Sequence, residues 1–121
     1  MDTSESYIKM CEQAKEIQAI CNYNRYDYFG VRNSKHTFRW DINNKPRDEY
    51  IWLPRQDQLQ EMAEPISKDE LIRRFFEWYH HWFMSQDAPT ACHTSMEQLW
   101  LAFVMKEKYN KIWSNGDWIK K

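Results

Sequence analysis

The residues best suited to covalent chemistry are the neighbours Cys92 and His93, just ahead of a predicted helix. A helix N-terminus and a nearby imidazolium both lower the pKa of a thiol, which is how nucleophilic cysteines are activated. Adjacent loop residues point apart, however, and catalytic Cys/His pairs usually come from distant parts of a chain. A loop cysteine with an incidental neighbour is therefore the favoured interpretation, and a Cys92-dependent enzyme is the last of three hypotheses.

The histidines suggest a metal site only weakly. His80 and His81 are candidates for ligands together with His36 or His93, but both lie on the polar side of their predicted helix. Adjacent helical residues diverge by about 100° and rarely bind one ion together. We therefore predict no metal site, no cofactor and no catalytic residues. The carboxylate pairs, such as Asp69 and Glu70, are expected to be surface charge.

A basic and aromatic segment, residues 25–47, is the candidate for nucleic-acid binding. Basic-plus-aromatic sheets bind single strands by stacking bases on rings. The candidate residues are Arg25, Arg32, Lys35, Arg39, Tyr28 and Trp40. The competing interpretation is that the rings face the helices while Arg and Lys cover the outer side, and it is favoured by the alternation in "HTFRWDI".

The preferred candidate for a partner surface combines a glutamine-rich helix with the C-terminal tryptophans. Long polar side chains without clear charge can hydrogen-bond a partner, and Trp, Tyr and Arg are the commonest interface anchors. The candidate residues are Arg55, Gln56, Gln58, Gln60, Trp113 and Trp118. The competing interpretation is that the tryptophans belong to the core.

The amino-acid composition of the chain limits the fold class and the functions that we expect. The chain has 121 residues, 42% apolar and 29% charged, so we expect one globular domain spanning 1–121. Aromatics make up 17%, with seven Trp, and there are only two Gly, which favours helices over a many-stranded sandwich. The net charge of −1 argues against a typical nucleic-acid binder or a DNA mimic.

Cysteine usage and hydropathy predict a cytoplasmic protein without membrane contact. Three cysteines without metal-type spacing fit buried thiols in a reducing compartment. No basic-then-apolar segment follows Met1. The longest apolar run, Leu99 to Met105, is far below the ~20 residues that span a bilayer.

The first half of the chain is predicted to form one helix and three strands. Asp2 and Glu5 resemble a capping box, and Tyr7, Met10, Ala14, Ile17 and Cys21 follow at helical spacing. "YDYFGVR", "HTFRWDI" and "EYIWL" are then rich in aromatic and β-branched residues. In the second strand Phe38, Trp40 and Ile42 alternate with polar residues. We therefore predict a small antiparallel meander.

The second half is predicted to add three helices and a hairpin. Pro54 suits the first turn of a short helix, and Ser67 with Glu70 caps the next, which has two apolar stripes and should pack on two neighbours. A helix capped by Thr94 and Glu97 is apolar all round from Leu99 to Met105 and is expected to be buried. Asn115-Gly116 predicts a type I′ turn. The predicted class is α+β, with about four helices on a small antiparallel meander and a C-terminal hairpin.

Two blocks of sequence resemble a family. "YIWLPRQDQLQEM" and "SMEQLWLAFVMKEKYNKIW" followed by "NGDW" are similar to blocks in small uncharacterised proteins from prophages and gut bacteria, and "MCEQAKEIQ" is similar as well. The resemblance implies a mobile-element origin and carries over no catalytic residues. Residues 22–47 match least, so a variable, function-specific surface is expected there.

Three functions follow as hypotheses. The first is a non-enzymatic phage-derived protein that binds and modulates a host or phage protein in the bacterial cytoplasm, an inhibitor of bacterial defence being one instance. The second is a nucleotide- or single-strand-binding module that uses the basic aromatic sheet at residues 25–47. The third is the Cys92-dependent enzyme.

Overall fold

Five α-helices, a π-helix and two small antiparallel sheets form the described part of the chain. The computed structural model describes residues 1–63, 67–83 and 95–120, with residues 81–83 described by backbone alone. The helices are α1 (Glu5–Gln13), α2 (Lys15–Gln18), α3 (Gln56–Met62), α4 (Lys68–Glu77), a π-helix (Trp78–Phe83) and α5 (Met96–Tyr109). The strands are β1 (Tyr28–Val31), β2 (Thr37–Arg39), β3 (Tyr50–Leu53), β4 (Lys111–Ser114) and β5 (Asp117–Lys120). The predicted α+β class is confirmed.

The predicted first helix is two helices because the chain breaks at Ala14. Ala14 has φ −84° and ψ 73°, and its amide donates to Cys11 O at 3.1 Å instead of continuing the α-helical ladder. The break leaves terminal carbonyls of α1 without a helical donor. The Gln18 amide group donates to Cys11 O at 3.1 Å, and the Trp118 indole donates to Met10 O at 2.9 Å. The predicted buried positions Tyr7, Met10, Ala14 and Ile17 are confirmed.

The caps of α1 and α5 lie one or two residues from their predicted positions. Ser4 caps α1 by accepting from Tyr7 N, so Asp2 is not the cap. Ser95 caps α5 by accepting from Gln98 N, while Thr94 lies outside the described residues. Asp2 connects these two helix starts instead. Its carboxylate accepts from Ser4 N at 2.8 Å and from Gln98 Nε2 at 2.9 Å, and Ser95 Oγ donates to it as well.

Replacing Asp2 with asparagine is expected to remove a pH-dependent part of the stability. Burial alone raises the pKa of Asp2, but hydrogen bonds from Ser4, Ser95 and Gln98 outweigh burial and lower that pKa below 3.8. A lowered folded-state pKa stabilises the fold above the unfolded-state pKa, and this contribution is lost as pH falls through the folded value. We expect Asp2→Asn to cost about 1 kcal/mol at pH 7 and progressively less below pH ~4 in denaturant unfolding.

The control for Asp2→Asn is Asp48→Asn, which alters an exposed carboxylate with no hydrogen bond among the described residues. It should cost little at either pH. A cost for Asp2→Asn that stayed constant between pH 7 and pH 3 would contradict the assigned role of the Asp2 carboxylate.

The three-stranded sheet is antiparallel in the order β2-β1-β3, so β1 is the central strand. α1 packs closely against one face, where a Cβ on Gly30 would approach Ile8 Cγ1 to 3.2 Å, so a larger residue would require the Ile8 side chain to shift by a few tenths of an ångström. β2 ends at Arg39. Ile42 is 80% exposed in the following turn, which corrects the prediction that it alternates with Phe38 and Trp40.

α5 is the buried centre of the helical side. Its apolar stretch from Leu99 to Met105 is buried except for the half-buried Ala102, as its all-round hydrophobicity predicts. Leu59 of α3 is completely buried, and Pro54 precedes that helix instead of lying in its first turn. Ser67 caps α4 as predicted. The predicted hairpin is confirmed, with Asn115 at φ 52° and Gly116 at φ 83°.

α4 packs on one side only, within the described part of the chain. Leu71 and Trp78 are buried, and the Phe75 ring stacks on that of Trp100 at 4.0 Å. Ile72 and Phe76 are 65% and 61% exposed, which corrects the prediction that both apolar stripes pack on neighbours. The pattern that indicates an apolar face does not by itself indicate what covers it.

Candidate functional site

The sheet face opposite α1 carries a layer of rings. Register pairs Phe29 with Phe38 and with Trp52, so these side chains share one face. The aromatic layer, defined as Tyr23, Phe29, Phe38, Trp40 and Tyr50, has neighbouring ring centroids 4.9 to 6.4 Å apart. Phe29 and Trp40 are buried within it. Offset and edge-on rings at these distances attract one another, so the layer is a rigid support.

A group of two arginines and two tyrosines lies at one end of β1 and β2, with Tyr28 partly buried and the other three side chains exposed. This Arg–Tyr surface consists of Arg25, Tyr26, Tyr28 and Arg39. The Arg39 guanidinium lies 5.2 Å from the Tyr26 ring centre and 5.3 Å from that of Tyr28, and Arg25 lies 4.8 Å from Tyr26. Each such cation–π contact contributes about 0.5–1 kcal/mol at an exposed site, so the side chains hold one another in place.

The backbone of this surface is held in an unusual conformation. Tyr26 has φ 71° and Tyr23, in the same loop, has φ 53°, values that cost of order 1–3 kcal/mol for a bulky side chain. The Tyr26 amide donates to Trp40 O and the Trp40 amide to Asp27 O, both at 2.7 Å. These bonds hold the loop in place and leave the Tyr26 side chain 51% exposed.

A buried carboxylate lies directly behind this loop. Asp27 is 2% exposed, and its Oδ1 accepts from Arg55 Nη1 at 3.1 Å and from Gln58 Nε2 at 2.9 Å. The Gln58 side-chain oxygen in turn accepts from Arg55 N at 2.8 Å. The Arg55 guanidinium also pairs with Asp57 at 3.1 Å. This network ties the start of α3 to the loop before β1.

The structure disperses the predicted partner surface. Arg55 and Gln58 are committed to the Asp27 network, and Trp118 is 6% exposed, packed on Trp113 with ring centres 5.0 Å apart. The prediction that Trp118 lies on the surface is therefore wrong. Its ring is buried, and its indole N–H donates to Met10 O near the end of α1. Gln56, Gln60 and Trp113 are half-buried, and none has a side-chain hydrogen bond within the described residues.

The structure also divides the predicted nucleic-acid set. Arg32 pairs with Glu12 at 2.9 Å and Lys35 with Glu5 at 3.3 Å, so acids from α1 offset much of the basic excess. Trp40 is buried in the aromatic layer, so its ring has no free face for a base. Only Arg25, Arg39 and Tyr28 of this set come together. Arg39 has no carboxylate within 4 Å among the described residues, whereas Arg25 lies 3.8 Å from Asp41.

The remaining chemistry-bearing residues are placed as follows. Cys92 and His93 lie outside the described residues, as does the side chain of His81. His36 is exposed beside Phe38, and His80 stacks on Phe76. Burial raises the pKa of Cys11 strongly and that of Cys21 to about 11, so neither thiol is activated. Among the described side chains no three His, Cys, Asp or Glu form a potential metal site.

Sequence reasoning counted Tyr26 only as one of the aromatics of residues 25–47 and missed Asp27 as a site residue. Asp27 contacts Arg55 and Gln58, which lie 28 and 31 residues later in the chain, so no pattern among neighbouring residues indicates its role.

No helix in the described ranges combines the length and apolar character needed to cross a membrane. Comparison of the chain with protein-family models, curated proteins and solved structures gives no match.

Proposed function

We propose that this chain is a non-enzymatic binding protein that contacts a protein partner through the Arg–Tyr surface. The observation that carries the proposal is the position of the exposed Tyr26 ring between the guanidinium groups of Arg25 and Arg39. Tyr and Arg dominate the energetics of protein interfaces. A side chain ordered before binding loses less entropy on binding, and rigidity raises affinity for that reason.

The charges favour a protein over a nucleic acid as partner. Of the basic residues in 25–47, Arg25, Arg32, Lys35 and Arg47 each lie within 4 Å of a carboxylate. A nucleic-acid surface gains affinity by neutralising phosphates with unpaired cations, and this sheet offers few of them. The resemblance to prophage proteins supports a mobile-element origin and a phage or bacterial cytoplasmic protein as the partner. Inhibition of a defence system is one such role.

The proposal is tested by quantitative capture from bacterial lysate with three forms of the chain. We expect a partner recovered by the unaltered chain to be reduced roughly tenfold or more by Tyr26→Ala/Arg39→Ala, since loss of one interface anchor costs about 2 kcal/mol. The matched control is Phe76→Ala/Arg74→Ala, which removes an exposed ring and an exposed arginine from α4. It should recover the partner normally.

Three outcomes contradict the proposal. Recovery of nothing above background opposes a protein-binding role. Equal recovery by both variants, or loss only in the α4 variant, opposes the Arg–Tyr surface as the contact. Salt-sensitive binding of labelled single-stranded oligonucleotides that Tyr26→Ala/Arg39→Ala abolishes would favour the nucleic-acid module instead.

A further inference from the structure

Side chains close one edge of the three-stranded sheet, the outer side of β3. The Gln18 side-chain oxygen accepts from Trp52 N at 2.8 Å, and its Nε2 donates to Trp52 O at 2.9 Å, as the peptide groups of a neighbouring strand would do. The Tyr7 hydroxyl donates to Pro54 O, just beyond the strand, at 2.6 Å. At these positions the backbone of β3 has no free group for another strand.

The opposite edge, formed by β2, is open within the described part of the chain. At the two ends of β2, His36 O accepts from β1 at 3.2 Å, and Trp40 N donates to the residue before β1 at 2.7 Å. Hydrogen-bonded positions alternate along an antiparallel strand, so Thr37 and Arg39 direct their N–H and C=O groups away from β1. No hydrogen bond from the described residues reaches these four groups. The edge can therefore pair with a further strand.

The side chains of β2 determine what such a strand has to present. Arg39 is exposed, lies on the same face as Tyr28, and has no carboxylate within 4 Å among the described residues. Phe38, on the other face, is half-buried in the aromatic layer. Residues directly opposite in neighbouring strands have Cβ atoms about 4.5–5.5 Å apart and contact each other. A carboxylate opposite Arg39 and an apolar side chain opposite Phe38 would complement this edge.

We propose that the partner bound at the Arg–Tyr surface adds an extended segment to the edge of β2 as a fourth, antiparallel strand. The segment alternates acidic side chains on the Arg39 face with apolar side chains on the Phe38 face. The inference rests on the proposed function, because Arg39 belongs both to the Arg–Tyr surface and to this edge. Main-chain hydrogen bonds supply affinity in this binding mode, and alternate side chains supply specificity.

Charge favours such a segment over a second copy of this chain. Two copies paired along β2 would bring two Arg39 guanidinium groups close together, and β2 contains no acid to offset them. Like charges on neighbouring strands oppose pairing. Proteins use short, charged edge strands to discourage arbitrary pairing, and in the same way Arg39 restricts this edge to a segment that carries a carboxylate.

NMR titration of the intact chain tests the edge without a captured partner. The probe is a blocked peptide of alternating valine and aspartate, about eight residues long, which is enough to pair with all of β2. We expect saturable shifts of the Thr37 and Arg39 amide resonances at millimolar peptide. A valine–lysine peptide of the same length should bind several-fold more weakly, because it brings like charge to Arg39.

Variants identify the groups that bind the peptide. Thr37→Pro removes an outward N–H but no hydrogen bond of the fold, a change that edge strands tolerate, and should weaken binding of the valine–aspartate peptide roughly tenfold. Thr37→Ala keeps the donor and should weaken binding less. Arg39→Glu should reverse the preference between the two peptides. The matched control is Lys120→Pro, at an amide that the hairpin register directs away from β4, and it should bind normally.

Capture from lysate separates this inference from the proposed function. Thr37→Pro should lower recovery of the partner, as Tyr26→Ala/Arg39→Ala does. Normal recovery by Thr37→Pro, with loss in Tyr26→Ala/Arg39→Ala, would overturn strand addition and leave the Arg–Tyr surface as the contact.

The peptide titration gives further results that would overturn strand addition. They are the absence of amide shifts with the valine–aspartate peptide and equal affinity for the valine–lysine peptide. If Thr37→Pro does not fold, an unchanged peptide preference in Arg39→Glu would overturn it as well. A concentration-dependent dimer that Thr37→Pro dissociates would assign the edge to a second copy instead.

Discussion

Trp118→Ala is expected to lower the free energy of unfolding by about 3–5 kcal/mol, the usual cost of removing a buried tryptophan. Trp118 is almost fully buried against Trp113, and its indole N–H is the hydrogen-bond donor to Met10 O at the end of α1. The substitution therefore leaves a cavity and an unsatisfied helix-terminal carbonyl together. Denaturant unfolding of the two chains measures the difference.

Two further variants separate packing from hydrogen bonding at Trp118. Trp118→Phe keeps a ring but loses the donor, and should cost about 1–2 kcal/mol. Ile119→Ala alters the next residue of β5, which is 47% exposed, and should stay within about 1 kcal/mol. If Trp118→Ala cost no more than Ile119→Ala, the hairpin would not be part of the core.

Arg55→Ala is expected to cost about 3 kcal/mol. Removing one partner of a buried ion pair costs about 3–5 kcal/mol because the other charge stays buried without compensation. Asp27 is the buried partner, whereas the Arg55 side chain is 38% exposed, which sets the expectation at the lower end. Gln58 alone would then donate to the Asp27 carboxylate. Equilibrium unfolding in denaturant at pH 7 measures the loss.

The matched control is Arg47→Ala. Arg47 pairs with Glu49 at 3.4 Å, but both side chains are at least half exposed. Surface pairs contribute about 0–1 kcal/mol, so this variant should unfold almost like the original chain. Equal costs for Arg55→Ala and Arg47→Ala would show that Asp27 does not depend on its guanidinium partner.

Periodicity and turn chemistry predict the elements whose causes are local. The all-round apolar stretch of α5 is buried, and Asn115-Gly116 takes the positive φ values that a two-residue hairpin needs. The strands around Tyr28, Phe38 and Ile51 form where aromatic and β-branched residues predict them. In each case a few neighbouring residues determine the conformation.

The rest depends on residues far apart in sequence. Asp2 looks like the cap of α1, but its carboxylate accepts from Gln98 at the start of α5, so Ser4 takes the cap. Ala14 is a good helix former, yet the chain breaks there and donors from Gln18 and Trp118 satisfy the freed carbonyls. Such exchanges leave no pattern in a window of neighbouring residues.

The candidate surfaces were predicted less well than the fold, since residue type does not indicate exposure. Trp118 and Trp40 are of a residue type that is common in binding sites, but both are buried. Tyr26 is exposed because its positive φ is held by hydrogen bonds with the end of β2, a conformation that propensity disfavours. Arg25, Arg39 and Tyr28 come together as the nucleic-acid hypothesis groups them, but acids from α1 neutralise Arg32 and Lys35.

The most direct test of the Arg–Tyr surface is hydrogen–deuterium exchange of this chain with and without its captured protein partner. Contact through that surface predicts slower exchange in residues 22–28 and 37–41 on complex formation, with α4 unchanged. Slower exchange confined to α4 or to the β4–β5 hairpin, with 22–28 and 37–41 unaffected, would contradict it.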